Sequence, residues 1–313
     1  MTIAGRPGFE EALAGFPEAA RPRLGRLPRR RGCLDAADVA ALCQTLNLSP
    51  QDLALALLPL AKSMARPEIS AFSVGAVAVA EGTTETEGVA LYLGANQEFR
   101  GLPLNHTIHA EQTAVVNAWH ADTRHIRALA VSAPPCGACR QFLMEAVGKG
   151  GLAILLPSKD NGSRDTTLAA LLPEAFGPGD LNRETGLFEG AHPDDCERDD
   201  PAPANPPDAM VRQARTAASS SYAPYTNHLA GCTIRLVGGE EITGRNLESA
   251  AFNPGLTALQ SALALAGMTD AHLPADIERV VLAEYPTTAG QAAAAELLLS
   301  AWAPRAEFFT HLF

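Results

Sequence analysis

Apolar residues recur at helical spacing through the first sixty positions: in ALAGF, across 35–46, and in LALALLPLAKSMA after the cap-like Ser49-Pro50-Gln51-Asp52. A small helical leader is predicted there. From Ile69 the texture changes, and FSVGAVAVA and VALYLGA are apolar runs of strand length joined by the Gly- and Thr-rich stretch 81–88. A helical pattern opens near His109 and runs through AEQTAVVNAWH. Residues 126–132 then read as a buried strand stopped by Pro134-Pro135, CRQFLMEAV returns to helical spacing, and LAILLP is another strand. The order β-β-α-β-α-β predicts an α/β layer architecture with helices packed on a sheet.

The segment 194–208, DDCERDDPAPANPPD, is acidic and Pro-rich without apolar periodicity, and reads as a linker or exposed loop. The earlier pattern then returns. Gly231 with its apolar flank corresponds to Gly75, Asn246-Leu247-Glu248 to Asn96-Gln97-Glu98, LTALQSALALA to IHAEQTAVVNA, and IERVVLAEYP from Ile277 to IRALAVSAPP from Ile126. Chance similarity of two apolar α/β segments is the competing explanation. Shared order and spacing over so long a stretch favour an internal duplication.

Composition narrows the class. A chain of 313 residues, 47% hydrophobic and 19% charged, excludes a disordered protein, a collagen-like fibre and a disulfide-stapled miniprotein. A net charge of −11 makes a long nucleic acid or an anionic membrane a poor partner. Six arginines crowd 21–31, where a solvated surface run in a flexible arm is favoured over a recognition patch. No run of eighteen apolar residues occurs, and MTIAGRPGFEEALAGF lacks the apolar stretch of a signal peptide. A cytoplasmic location is expected. Cysteines at 33, 43, 136, 139, 196 and 232 are too few and scattered for a disulfide framework. Only Cys136 and Cys139 are spaced for chemistry.

Two fragments carry that chemistry: His109-Ala110-Glu111 and Pro135-Cys136-Gly137-Ala138-Cys139. Zinc held by one imidazole and two thiolates keeps a fourth tetrahedral position for water, and lowers that water's pKa towards ~7. Both cysteines follow a strand and open a helix, where free backbone N–H groups and the positive dipole end favour thiolates. His109 also opens its helix, so Glu111 in the first turn reaches the same end. Each fragment alone is ambiguous. A lone His on an apolar helix serves as core or cap, and a CxxC after a strand also fits a thioredoxin-like redox pair. Thr113 excludes the His-Glu-x-x-His of zinc proteases. Together the fragments match the signature of zinc-dependent nucleobase deaminases, in which the Glu is not a ligand.

On these motifs the sequence resembles the cytidine deaminases, specifically the larger two-domain, homodimeric bacterial type. The similarity runs through ALALLPLA, SAFSVGA, GANQEF, TIHAEQTAV, PCGACRQF, EAFGPGDL and SAAFNP, nearly the whole chain. The resemblance implies a three-layer α-β-α cytidine-deaminase-like domain, duplicated, with a small N-terminal helical domain. The expected division is a helical segment 1–60, a catalytic zinc deaminase domain 61–182, a linker 183–207 and a degenerate non-catalytic copy 208–313. It implies one Zn2+ per chain on His109, Cys136 and Cys139, and Glu111 as the proton shuttle in hydrolytic deamination of cytidine and 2′-deoxycytidine, a step of pyrimidine salvage. Asn96 and Glu98 would hold the ribose hydroxyls; without the flanking motifs they read as a turn Asn and a surface Glu. Phe72 would lie against the pyrimidine face, or else be ordinary core, and Ala110 and Ser132 would contact the base.

In the second copy the internal alignment sets Ala258 opposite His109, Gln260 opposite Glu111, Thr287 opposite Cys136 and Gly290 opposite Cys139. No metal site is expected there. The family implies that this copy helps form a homodimer and closes the active site of the other subunit, with Phe176 and Phe252 as candidates against a plain packing role. The rival readings are a thiol-disulfide oxidoreductase built on Cys136 and Cys139, which leaves His109, Glu111 and the Asn-x-Glu pair unexplained, and a zinc-stabilised binding module, which has no need of Glu111. A polynucleotide editor would want a basic groove, so a small nucleoside is the preferred substrate.

Overall fold

The structure, a computed structural model, describes residues 7–81, 88–123, 125–147, 151–158, 163–183, 186–188 and 208–313. The leader forms α1 (Pro7–Ala14), α2 (Arg21–Leu24), a short strand β1 (Cys33–Leu34), α3 (Ala36–Leu46), α4 (Pro50–Ala56) and α5 (Leu58–Ser63). Asp35 caps α3 by accepting from Asp38 N–H, and Ser49 caps α4 by accepting from Asp52 N–H. The first copy continues with β2 (Gly75–Glu81), β3 (Val89–Ala95), α6 (Ala110–His120), β4 (His125–Val131), α7 (Gly137–Val147), β5 (Ala153–Pro157), β6 (Ser163–Thr167) and α8 (Leu168–Leu171). The second comprises α9 (Ala209–Ser219), β7 (Ala230–Leu236), β8 (Glu241–Arg245), α10 (Ala258–Gly267), β9 (Ile277–Glu284), α11 (Ala292–Trp302) and β10 (Glu307–Leu312).

The first sheet has the order β1-β3-β2-β4-β5-β6 and the second β10-β9-β7-β8. The inner strands match in sense: β2 is antiparallel to β3 and β4, β7 to β8 and β9, while β4–β5 and β9–β10 are parallel. The duplication extends to irregularities. The register shifts between Val79 and Ala80 in one copy and between Arg235 and Leu236 in the other. Isolated bridges Arg66–Gln97–Ile108 recur as Tyr222–Leu247–Leu256.

These shared contacts correct one pairing. A Cβ on Gly94 would lie 2.3 Å from Ala110 O and Ala114 N, and one on Gly244 at 2.3 and 2.2 Å from Ala258 O and Ala262 N. Glycine thus lets α6 and α10 press their backbones onto β3 and β8 at equivalent places. Ala258 therefore stands opposite Ala110, Thr257 opposite His109 and Leu259 opposite Glu111, as the pairing of LTALQSALALA with IHAEQTAVVNA has it and one residue earlier than the pairing of Ala258 with His109. Gln112 and Gln260, at the same turn, accept from the N–H groups of His109 and Thr257 at 2.8 and 3.1 Å. The strand register keeps Thr287 opposite Cys136 and Gly290 opposite Cys139.

The leader is the outer layer of the first sheet. Leu24, Leu42, Leu53, Leu57 and Leu60 share a core with Val77, Val79, Leu91 and Leu93. The boundary expected at 60 falls inside α5, which lies under Gly75 as α9 lies under Gly231. The arginine run is no solvated arm either: Arg23 and Arg26 reach Asp38 at 2.9 and 3.1 Å, Arg30 also reaches it, and Asp38 is buried. On the inner side α6 is buried from Ala110 to Trp119 because it is sandwiched between its own sheet and α10 of the other copy. No described helix is long and apolar enough to cross a membrane. Cys196 and most of the expected linker lie outside the described residues.

Candidate active site

Two helix starts meet at one end of the first sheet. His109 precedes α6, and Cys136 and Cys139 open α7 after β4. The Cys136 and Cys139 sulfurs are 3.5 Å apart, and Cys136 Sγ lies 3.7 Å from His109 Nδ1. Tetrahedral bonds of about 2.3 Å to sulfur and about 2.0–2.1 Å to nitrogen separate sulfur from sulfur by about 3.8 Å and nitrogen from sulfur by about 3.6 Å. The two pairs through Cys136 therefore stand near zinc-binding spacing, and His109 and Cys139 lie within 4.8 Å of each other. The trio is the one such donor group among the described residues. A disulfide would need about 2.05 Å, and both thiols are free. Cys139 is buried, His109 half-buried and Cys136 exposed, so the centre opens on the Cys136 side.

The electrostatics favour a metal-ready thiolate. Hydrogen bonds from the Cys139 thiol and from His109 pull Cys136 down to about 3, while Cys139, the donor, goes up. His109 rises because it pairs with Cys136. Glu111, 3% exposed, is pushed above the ordinary carboxylate range by burial, against smaller opposing effects of its own N–H, His109 and Cys139. A buried carboxyl in contact with Cys139 is placed to hold and release a proton beside the metal donors.

Asn96 and Glu98 sit at the end of β3 and shape the segment 69–74. Glu98 accepts from Ile69 N–H at 2.7 Å, Ser70 N–H at 2.8 Å and the Ser70 hydroxyl. Asn96 Oδ1 accepts from Val74 N–H at 2.8 Å and its Nδ2 donates to Phe72 O at 3.0 Å. At 7% and 3% exposure they are not a surface turn. Phe72 is 61% exposed and so not core. Ala110 is fully buried. The Ser132 hydroxyl accepts from Gly75 N–H at 3.0 Å. Phe176 and Phe252 are both exposed; Gln141 on α7 donates to Phe176 O at 2.6 Å, and Phe252 meets Tyr225 edge-on.

The second copy keeps the clamp but not the metal donors. Glu248 accepts from Tyr225 N–H, Thr226 N–H and the Thr226 hydroxyl, and Asn246 donates to His228 O. His228 takes the place of Phe72. Its ring bonds Thr287 at 2.9 Å and Glu284 at 3.0 Å, and Glu284 accepts from the N–H groups of Gln291 and Ala292 at the start of α11. A hydrogen-bonded network thus holds Thr287, the residue opposite Cys136. The sequence reading missed it because these residues match no donor spacing.

An imidazole, two thiolates with room for water, and an adjacent buried carboxylate define a hydrolytic zinc centre of the nucleobase-deaminase class. The family model described as the cytidine and deoxycytidylate deaminase zinc-binding region matches residues 49–150, and a second model of the same description matches 168–296. The cytidine deaminase of Haemophilus influenzae (strain 86-028NP) is 41% identical over 269 residues, 86% of each chain. That of Pectobacterium carotovorum subsp. carotovorum (strain PC1) is 38% identical over 298 residues, 94% of this chain and 95% of that one. A solved cytidine deaminase from Burkholderia pseudomallei is 32% identical, covers 40% of this chain and 98% of its own, and has a TM-score of 0.34. The chain belongs to the cytidine deaminase family.

Proposed function

We propose that the protein hydrolyses cytidine and 2′-deoxycytidine to uridine and 2′-deoxyuridine with release of ammonia, as a step of pyrimidine salvage. The observation that carries this is the His109, Cys136 and Cys139 trio, its donor atoms within 4.8 Å of one another, with Glu111 buried beside it. Zinc bound there supplies a water acidic enough to act as hydroxide near neutral pH. Glu111 accepts the proton of that water and delivers it to ring N3, which makes C4 electrophilic. Once C4 carries the hydroxyl, the same carboxyl would take that hydroxyl's proton and hand it to the amine, so that C4=O forms as the C4–N bond breaks and ammonia leaves; one group would serve as base and then acid. Zinc is a group this chain's residues fit, and no ligand role is needed from Glu111.

Asn96 and Glu98 support the nucleoside reading through what they have left over. A carboxylate offers about four acceptor sites, of which Glu98 uses three on Ile69 and Ser70. One remains for a sugar hydroxyl, as does the second N–H of Asn96 Nδ2. Phe72, exposed on the segment these residues hold, supplies an apolar face for the pyrimidine. We assign Phe176 and Phe252 to the closing surface of a homodimer. A redox role for the cysteine pair leaves His109 and Glu111 without purpose.

Cytidine absorbance, uridine and ammonia formed, and zinc bound are measured together on the purified protein. About one zinc per chain with uridine and ammonia in equal amounts is expected. Zinc present without any turnover of cytidine or deoxycytidine would contradict the proposal.

A further inference from the structure

Glu145 lies in the last turn of α7, the helix whose first residues carry the metal donors. It is 1% exposed. Its Oε1 accepts from the hydroxyls of Tyr222 at 2.5 Å and Tyr225 at 2.6 Å, and its Oε2 accepts from Ala250 N–H at 2.8 Å. All three donors belong to the second copy. A buried carboxylate without such donors is costly, so the helix that holds the metal satisfies its buried acid through the copy that has none.

The donors are themselves fixed. Tyr225 N–H donates to Glu248 at 2.9 Å, Tyr222 N–H to Asn246 O at 2.9 Å, and Glu248 N–H to Tyr222 O at 2.9 Å. Ala250 follows on the same turn. The Asn246–Glu248 pair, which serves no metal site, thus grips the segment that presents both tyrosines. Gln141, one turn before Glu145 on α7, holds the loop of Phe176, so the helix links the metal donors, a substrate-side loop and the second copy.

We propose that Glu145 is a positioning residue through which the second copy, by way of Tyr222, Tyr225 and the Asn246–Glu248 turn, sets the placement of the metal helix and thereby the distance of Cys136 and Cys139 from His109. The proposal rests on the zinc reading above. It gives the degenerate copy a role in the chemistry of the intact one: six residues of helix, about 9 Å, connect Glu145 to Cys139. Metal sites require donors held within about 0.5 Å by such supporting contacts.

The test uses the full-length zinc-loaded protein and its Glu145→Gln and Tyr225→Phe variants. Zinc release to a chromogenic chelator is followed at a temperature where circular dichroism shows each variant folded, alongside kcat and KM. Release at least about tenfold faster, with kcat lowered and KM within twofold, is expected for Glu145→Gln, and a smaller change in the same direction for Tyr225→Phe. Should Glu145→Gln not fold, Tyr225→Phe, which removes one hydroxyl, decides by the same readout. Release rates and kcat within twofold of the parent, with only a lower Tm, would overturn the proposal by making the cluster an interface contact alone. A parent that binds no zinc overturns the zinc reading itself, which separates the two failures.

Discussion

Glu98 and Glu248 form the same three hydrogen bonds in two copies, only one of which has metal donors. The shared task is loop shaping, to which the proposed sugar contact would be added in the first copy. Burial pushes Glu98 up, but the Ser70 hydroxyl and the N–H groups of Ser70 and Ile69 outweigh it and hold the carboxyl below its ordinary value. A carboxylate depressed on folding contributes stability that is present above its unfolded pKa, about 4.3, and lost as pH falls through the folded value. Ser70→Ala removes a donor and moves Glu98 back towards the ordinary value. The variant is therefore expected to melt below the parent at neutral pH, the gap closing as Glu98 protonates in both. A gap constant from neutral to strongly acidic pH would contradict the assignment. The fold brings His109, Cys136 and Cys139 together, and these and Glu111 stood out in the sequence because imidazole, carboxyl and paired thiols at fixed local spacing have few other uses. Glu145 was not, since its partners lie 77, 80 and 105 positions away.

Elements were legible where pattern and chemistry agree. The strands β2 to β5 and helices α6 and α7 follow their apolar periodicity, whereas β6 is written in polar residues, SRDTT, and exists because it pairs with β5. The capping glutamine and Gly244 fix the register of α10 as LTALQSALALA against IHAEQTAVVNA sets it, not as the pairing of Ala258 with His109 does. Gly94 has the matching role for α6. Gly94→Ala would place a methyl carbon 2.3 Å from the backbone of Ala110 and Ala114, which cannot give way without lifting the helix that carries His109 and Glu111. A loss of at least about 1–3 kcal/mol of stability and of activity is expected from thermal melts and assays. An unchanged Tm would show that the close approach is not required.

At the scale of the whole molecule, two copies of one α/β layer unit share a core through α6 and α10, and the N-terminal helices complete the outer face of the first sheet. Periodicity revealed those helices. It could not reveal that three arginines of the leader converge on buried Asp38, because like charges close in sequence look alike whether solvated or paired. Phe176 and Phe252 are both exposed on the single chain, and the homodimer proposed above would cover them. Phe252→Ala is expected to raise KM by about tenfold, near 1.4 kcal/mol, without changing zinc content, and sedimentation should give a dimer. A monomer with full activity would remove the need for a partner.

The central claim is that Glu111 moves protons beside a zinc held by His109, Cys136 and Cys139. Glu111→Gln keeps the size of the side chain and removes its acid-base function, so zinc content and cytidine turnover of this variant test the claim most directly. Zinc retained at the parent level with turnover lowered by about 10²–10⁴-fold is the expected result. Zinc retained with near-parent turnover would contradict the account.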